Sequence, residues 1–131
     1  IRKYYRKMIE TFKKFLSAKG ITPTCSENLL QFSYKNLNFA LLTQASDPFY
    51  FTLILLNIYT ITSENEQHTH TVMAELTATY KVAKFFAVNE SVWLSAEQFV
   101  YSRENINALY DRLLSVLQDA YTEFNNKMRE S

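Results

Sequence analysis

The chain has 131 residues but only one glycine, Gly20, with two prolines, one cysteine and two histidines. So little Gly and Pro leaves few sharp loops and places most residues in helices or strands. Phosphate loops and dinucleotide folds need several glycines for close backbone approach, so Walker and Rossmann motifs are excluded. Cys25 has no second cysteine to bridge, which fits a reducing cytoplasm. With no histidine near it in sequence, it reads as an inert small apolar side chain rather than a reactive thiol.

Long hydrophobic runs are missing too. The longest, FYFTLILLNIYTI at 49–61, is interrupted by Thr52, Asn57 and Thr60 and falls short of the ~20 residues a membrane helix needs. The basic start IRKYYRKM is not followed by an apolar signal region. A first residue other than Met is expected of a processed chain, which leaves a removed leader open. A net charge of +1 supplies no global field for nucleic acid or an acidic membrane, so any such binding has to be local.

What is present is a globular composition. Apolar residues at 47% and charged residues at 21% argue against disorder, and the length fits one domain, 1–131, with a single core. Residues 2–19 carry Tyr5, Met8, Ile9, Phe12, Phe15 and Leu16 at helical spacing. Arg2, Lys3, Arg6, Lys7, Lys13 and Lys14 fall on the opposite arc. Gly20 is placed to end this helix as a left-handed cap, with Pro23 beyond.

NLLQFSY (28–34) and LNFALLTQ (37–44), around Lys35-Asn36, predict a hairpin. After Ser46-Asp47-Pro48, Phe49 to Thr62 predicts a long third strand. Its odd row (Phe49, Phe51, Leu53, Leu55, Tyr59) and its even row (Tyr50, Ile54, Leu56, Ile58) are both apolar, so both want cover. Ser63 with Glu66 reads as a capping box opening a helix over about 63–80. A hairpin in which HTHTV is a strand competes with it, and the helix is favoured because the segment runs on into MAELTATYK without a breaker. KFFAV (84–88) and SVWLSAEQFV (91–100) flank Asn89-Glu90 as a second hairpin. Ser102 then caps a last helix striped with Ile106, Leu109, Tyr110, Leu113, Leu117 and Phe124. The expected architecture is α+β, ordered α-βββ-α-ββ-α, a five-stranded antiparallel sheet with helices packed mainly on one face.

That order, taken with ELTATYKVAKFFAVNESVWLSAEQF (75–99), resembles the YbjN family, which carries the label of bacterial sensory transduction regulators. More distantly it is similar to the type III secretion chaperones that share the fold. In the family a middle helix ends in a phrase like "lnelN", followed by a short basic and aromatic strand, an acidic or Asn turn, and a strand rising into the last helix. Here these are MAELTATYK, KFFAV, NE and SVWLSAEQF. The wording matches over about 72–124, the family's frequent Asn at the helix end stands as Thr77, and the chain is slightly basic where the secretion chaperones tend to be acidic. The resemblance implies a bacterial, cytoplasmic, chaperone-like homodimer that holds polypeptide on apolar patches.

Chemistry has little material. Ser or Cys nucleophiles need a nearby base, and both histidines, His68 and His70, sit in one polar stretch. In a helix these two lie about 200° apart and cannot chelate one ion; in a strand they would share a face yet need further ligands. We therefore expect no enzyme, no cofactor and no metal site. The expected partner-binding residues are Tyr50, Ile54, Leu56 and Ile58 on the strand with two apolar faces, together with Trp93, and the simplest partner is a second copy. An alternative is a small nucleic-acid-binding regulator gripping phosphates with Arg2, Arg6, Lys13 and Lys14.

Overall fold

In the computed structural model the backbone is described for residues 2–130 and the side chains from Met8 onward. The order is α1 (Arg2–Ala18), β1 (Thr24–Ser26), β2 (Leu29–Tyr34), β3 (Leu37–Gln44), β4 (Asp47–Thr60), α2 (Glu66–Thr79), β5 (Ala83–Val88), β6 (Ser91–Phe99) and α3 (Ile106–Met128). All pairings are antiparallel, in the strand order β1-β2-β3-β4-β6-β5. The sheet therefore has six strands rather than the expected five. The extra one, β1, is three exposed residues long, with no apolar alternation to announce it.

Local chemistry accounts for most of the element ends. α1 stops in a Schellman motif: Gly20 takes φ 76°, its N–H donates to the Ser17 carbonyl, and Ile21 N–H donates to Leu16. Lys35 and Asn36, at φ 51° and 65°, form the two-residue primed turn between β2 and β3. β4 starts at Asp47 rather than Phe49, because Gln44 already pairs with Asp47 across a turn of Ala45 and Ser46. Pro48 costs no ladder bond there, since pairing with β6 begins only at Tyr50.

Two expected helix caps lie elsewhere. Before α2 the reciprocal pair is Thr62 and Asn65, not Ser63 and Glu66. Thr62 N–H donates to Asn65 Oδ1 at 2.8 Å, and Asn65 N–H donates to Thr62 Oγ1 at 3.2 Å. An amide can donate as well, and Asn65 Nδ2 reaches the Thr60 carbonyl at 3.1 Å, tying the turn to the end of β4. A glutamate could not make that third bond. At α3 the residue before the helix is Asn105, left-handed at φ 59°, while Ser102 Oγ accepts from Glu104 N–H in a turn of its own.

All three helices pack on one face of the sheet. The odd row of β4 points toward them, with Phe51, Leu53 and Leu55 fully buried, and meets Phe39 and Leu41 of β3 and Leu94 and Ala96 of β6. α1 contributes Phe12, Phe15 and Leu16, and α3 contributes Tyr110, Leu117 and Phe124, to the same core. Tyr110 is the hinge of this packing, its ring 4.6 Å from Phe12 and 5.8 Å from Phe51. α2 covers the β5 end. There Thr77 Oγ1 accepts the Phe85 N–H at 2.9 Å, satisfying a main-chain donor of the edge strand. Ion pairs Lys19–Asp111 and Lys127–Glu75, both 2.9 Å, link α1 to α3 and α3 to α2. No helix among the described residues is long and apolar enough to cross a membrane.

Candidate functional site

With the helices on one side, the even row of β4 faces the other, where no element among the described residues covers it. The register assembles this open face strand by strand: Leu29 and Gln31, Ala40 and Leu42, Tyr50, Thr52 and Ile54, Trp93, Ser95, Glu97 and Phe99, then Lys84 and Phe86. Its centre is tight, because Ala40, Ile54 and Ser95 stand side by side below taller neighbours and are each at most 7% exposed. Around them apolar groups remain open to solvent, Phe99 at 54% and Leu42 at 36%.

Three constructions fix the side chains of this face. Tyr50 lies against Phe99, with ring centroids 5.3 Å apart, and Phe86 lies against Trp93 at 6.1 Å. A polar network crosses three strands: Thr52 Oγ1 donates to the Tyr50 hydroxyl at 3.1 Å, Tyr50 bonds to Glu97, and Lys84 Nζ donates to Glu97 at 3.0 Å. The Lys84 hydrogen bond holds the Glu97 carboxyl below its ordinary value against the opposing effect of burial, with Tyr50 adding to it. Third, β4 bulges between Leu55 and Tyr59, where Asn57 turns left-handed at φ 50°. Its Oδ1 accepts from both Ser91 Oγ and Trp93 Nε1, each at 2.9 Å, so the bulge aims the indole.

The structure brings Tyr50, Ile54 and Trp93 together on this face. Leu56 sits at its margin, where with Asn57, Asn38 and Gln31 it lines an open groove. Ile58, beyond the bulge, packs against the core instead. The sequence reading missed Leu42, Phe86 and Phe99, in strands read only as hairpins, and the Thr52–Tyr50–Glu97–Lys84 network. Alternation in LNFALLTQ was a usable signal for Leu42, since its neighbours Leu41 and Thr43 are the buried ones.

The other candidates lie elsewhere. His68 Nε2 is 3.2 Å from the Lys127 carbonyl, where α2 meets the end of α3, and His70 is exposed on another side of α2. No group of three His, Cys, Asp or Glu among the described residues could hold a metal ion. On α1, Lys13 pairs with Glu10 at 3.5 Å and Lys14 is exposed, while the side chains of Arg2 and Arg6 lie outside the described residues. Cys25 is exposed on β1.

No family model and no curated protein matches the chain. Solved structures do. YbjN from E. coli, a candidate transcription regulator, superposes with a TM-score of 0.68 at 8% identity, over 90% of this chain and 91% of its own. A chain of the heterodimeric complex ExoU–SpcU, from the type III secretion system of Pseudomonas aeruginosa, superposes with a TM-score of 0.64 at 12% identity, over 91% of this chain and 98% of its own. The chain thus has the YbjN fold, shared with a component of a type III secretion complex.

Proposed function

We propose that the protein is a non-catalytic polypeptide-binding module of chaperone-like or regulatory type, cytoplasmic, that holds its partner against the open face of the sheet. One observation carries the reading: a six-stranded sheet has all its helices on one side and presents Tyr50, Leu42, Phe86, Trp93 and Phe99 on the other. Exposed apolar side chains gathered on one surface are an interaction site. The likeness to a chain that occurs in a heterodimeric complex supports it.

The first occupant is a second copy of the chain. Lys84 and Glu97 stand side by side on this face, and a neighbouring positive and negative charge is self-complementary across a two-fold axis. Light scattering at tens of micromolar is expected to give twice the chain mass. Leu42→Glu with Phe99→Glu, both at exposed positions, is expected to give a folded monomer. A wild-type protein that stays monomeric and recovers no polypeptide in a pull-down sinks the proposal. The nucleic-acid alternative requires instead salt-dependent binding of DNA or RNA that is lost in Lys13→Glu with Lys14→Glu.

A further inference from the structure

The segment linking β6 to α3 runs past the start of β4 and the side of α1, and the four enclose a cleft at one end of the sheet. Met8 and Ile106 supply apolar lining, Tyr110 closes the floor, and Phe49 and Tyr101 stand as walls around about 100 Å³. The walls are unusually open for aromatic residues, with Tyr101 76% and Phe49 37% exposed. They are nonetheless ordered against each other at 5.2 Å between centroids, and Tyr101 stacks on Phe99 within 9° of parallel. The Val100 N–H, donating to the Phe49 carbonyl at 2.6 Å, holds the two walls in register.

Arg103 lines the same cleft. Its Nη1 donates to Thr11 Oγ1 at 3.1 Å, which positions the guanidinium, and no carboxylate among the described residues is within ion-pair distance of it. A guanidinium has five donors in a planar fork suited to a carboxylate, so most of this one is available to a ligand.

Size restricts what the ligand is. Pockets for cofactors and drug-sized molecules run to roughly 300–1,000 Å³, and a cavity of about 150 Å³ holds a benzene ring. The cleft therefore has room for one branched aliphatic side chain. An apolar side chain and a carboxylate on the same carbon occur together in a polypeptide only at its C-terminal residue. We propose that this cleft captures the C-terminus of a polypeptide, with a leucine-like side chain resting on Met8, Ile106 and Tyr110 beside the paired Phe49 and Tyr101 rings, and the terminal carboxylate on Arg103. The cleft adjoins the open face through the Tyr101–Phe99 stack, and Arg103, which lies in the cleft alone, tells the two sites apart.

The test is a titration of the isotope-labelled protein, followed by NMR, with an acetylated hexapeptide ending in leucine. The same peptide amidated at its C-terminus, and a third ending in glycine, are the comparisons. The free acid is expected to shift the amide signals of Tyr101 and Arg103. Amidation is expected to weaken binding about two- to fivefold, the worth of an ion pair at an exposed guanidinium. Replacing leucine by glycine is expected to weaken it at least about tenfold, as an emptied apolar pocket does. Arg103→Met should abolish the preference for acid over amide, and His70→Ala, on the exposed side of α2 and in neither site, should leave it intact. Equal affinity of acid and amide for the wild-type protein, or no shift at millimolar peptide, overturns the proposal without reliance on any variant.

Discussion

Thr77→Val isolates a single hydrogen bond between a helix and an edge strand. Valine keeps the shape and branching of threonine but removes the Oγ1 that accepts the Phe85 N–H at 2.9 Å. Phe85 is 6% exposed, so its amide gains little water in exchange. An unsatisfied buried donor costs ~1–3 kcal/mol, and the position at the edge of the sheet, where water can approach, puts the cost in the lower half at ~1–2 kcal/mol. With an unfolding entropy of roughly 2.1 cal/mol/K per residue, a chain of 131 residues gives about 0.28 kcal/mol/K. The thermal midpoint is then expected to fall by about 4–7 °C. Calorimetry reads the midpoint, and hydrogen exchange reads the amide itself, which should lose its protection in the variant while the β6 partners keep theirs. Thr77→Asn, which retains a side-chain acceptor, is expected to keep most of the stability. An unchanged midpoint together with unchanged Phe85 protection in Thr77→Val would refute the assignment.

Other variants probe the two faces and the charges. Leu94→Ala, fully buried under the helices, is expected to cost ~2–5 kcal/mol by denaturant titration, whereas Leu42→Ala on the open face should cost well under that; similar costs would mean that the faces are misassigned. Asn57→Gly keeps the left-handed backbone but removes the acceptor for Trp93 and Ser91, both in exposed hydrogen bonds, so a shift in indole emission and a loss of ~0.5–1.5 kcal/mol are expected. Burial, with the hydrogen bond to Glu123, pushes the Tyr80 phenol up to about 12, and the Asp111 hydrogen bond holds Lys19 above its ordinary value. Groups raised in the folded state hold their protons more tightly there, so their stabilisation is complete below pH ~10 and is lost as pH climbs through the folded values. The unfolding midpoint should fall above pH 10, and less steeply in Tyr80→Phe; an equal slope in the variant counts against the Tyr80–Glu123 bond. Lys84→Met should raise the NMR titration midpoint of Glu97 toward the ordinary carboxylate value, and an unmoved midpoint would exclude Lys84 as its main cause.

What could be read from sequence was what the backbone decides locally. Gly20 announced a left-handed cap and Lys35-Asn36 the turn of a hairpin, and both are found there. The 3.6-residue stripes of α1 and α3 named Met8, Ile9, Phe12, Phe15, Leu16, Tyr110, Leu113, Leu117 and Phe124 of the core, because one face of each helix meets it, while the Tyr5 side chain lies outside the described residues and Ile106 and Leu109 are only partly buried. β1 escaped because a three-residue edge strand buries nothing and so leaves no pattern. The capping pair was displaced by one residue, since Ser63 and Thr62 look alike in sequence and the choice rests on whether the carboxamide of Asn65 can reach back to Thr60. The two rows of β4 were equivalent as text, and only the packing of α1 and α3 distinguishes them. Trp93 was named as a site residue, but the reason for its pose, a bulge in a strand more than thirty residues away in sequence, has no local trace.

The strand order has a consequence for how the molecule is assembled. β1 to β4 form a meander in which every strand pairs with its predecessor, and β5 and β6 form a hairpin. Sheet pairing between these halves runs along one seam, β4 against β6, from Tyr50 opposite Phe99 to Thr60 opposite Ser91. Closing that seam carries the long-loop entropy, so it belongs to the slow step of folding, after each half has zipped locally. The Tyr50–Phe99 and Asn57–Trp93 contacts straddle the seam. The surface we assign to partners is therefore completed only when the two halves have met, and a half-folded chain carries no finished copy of it.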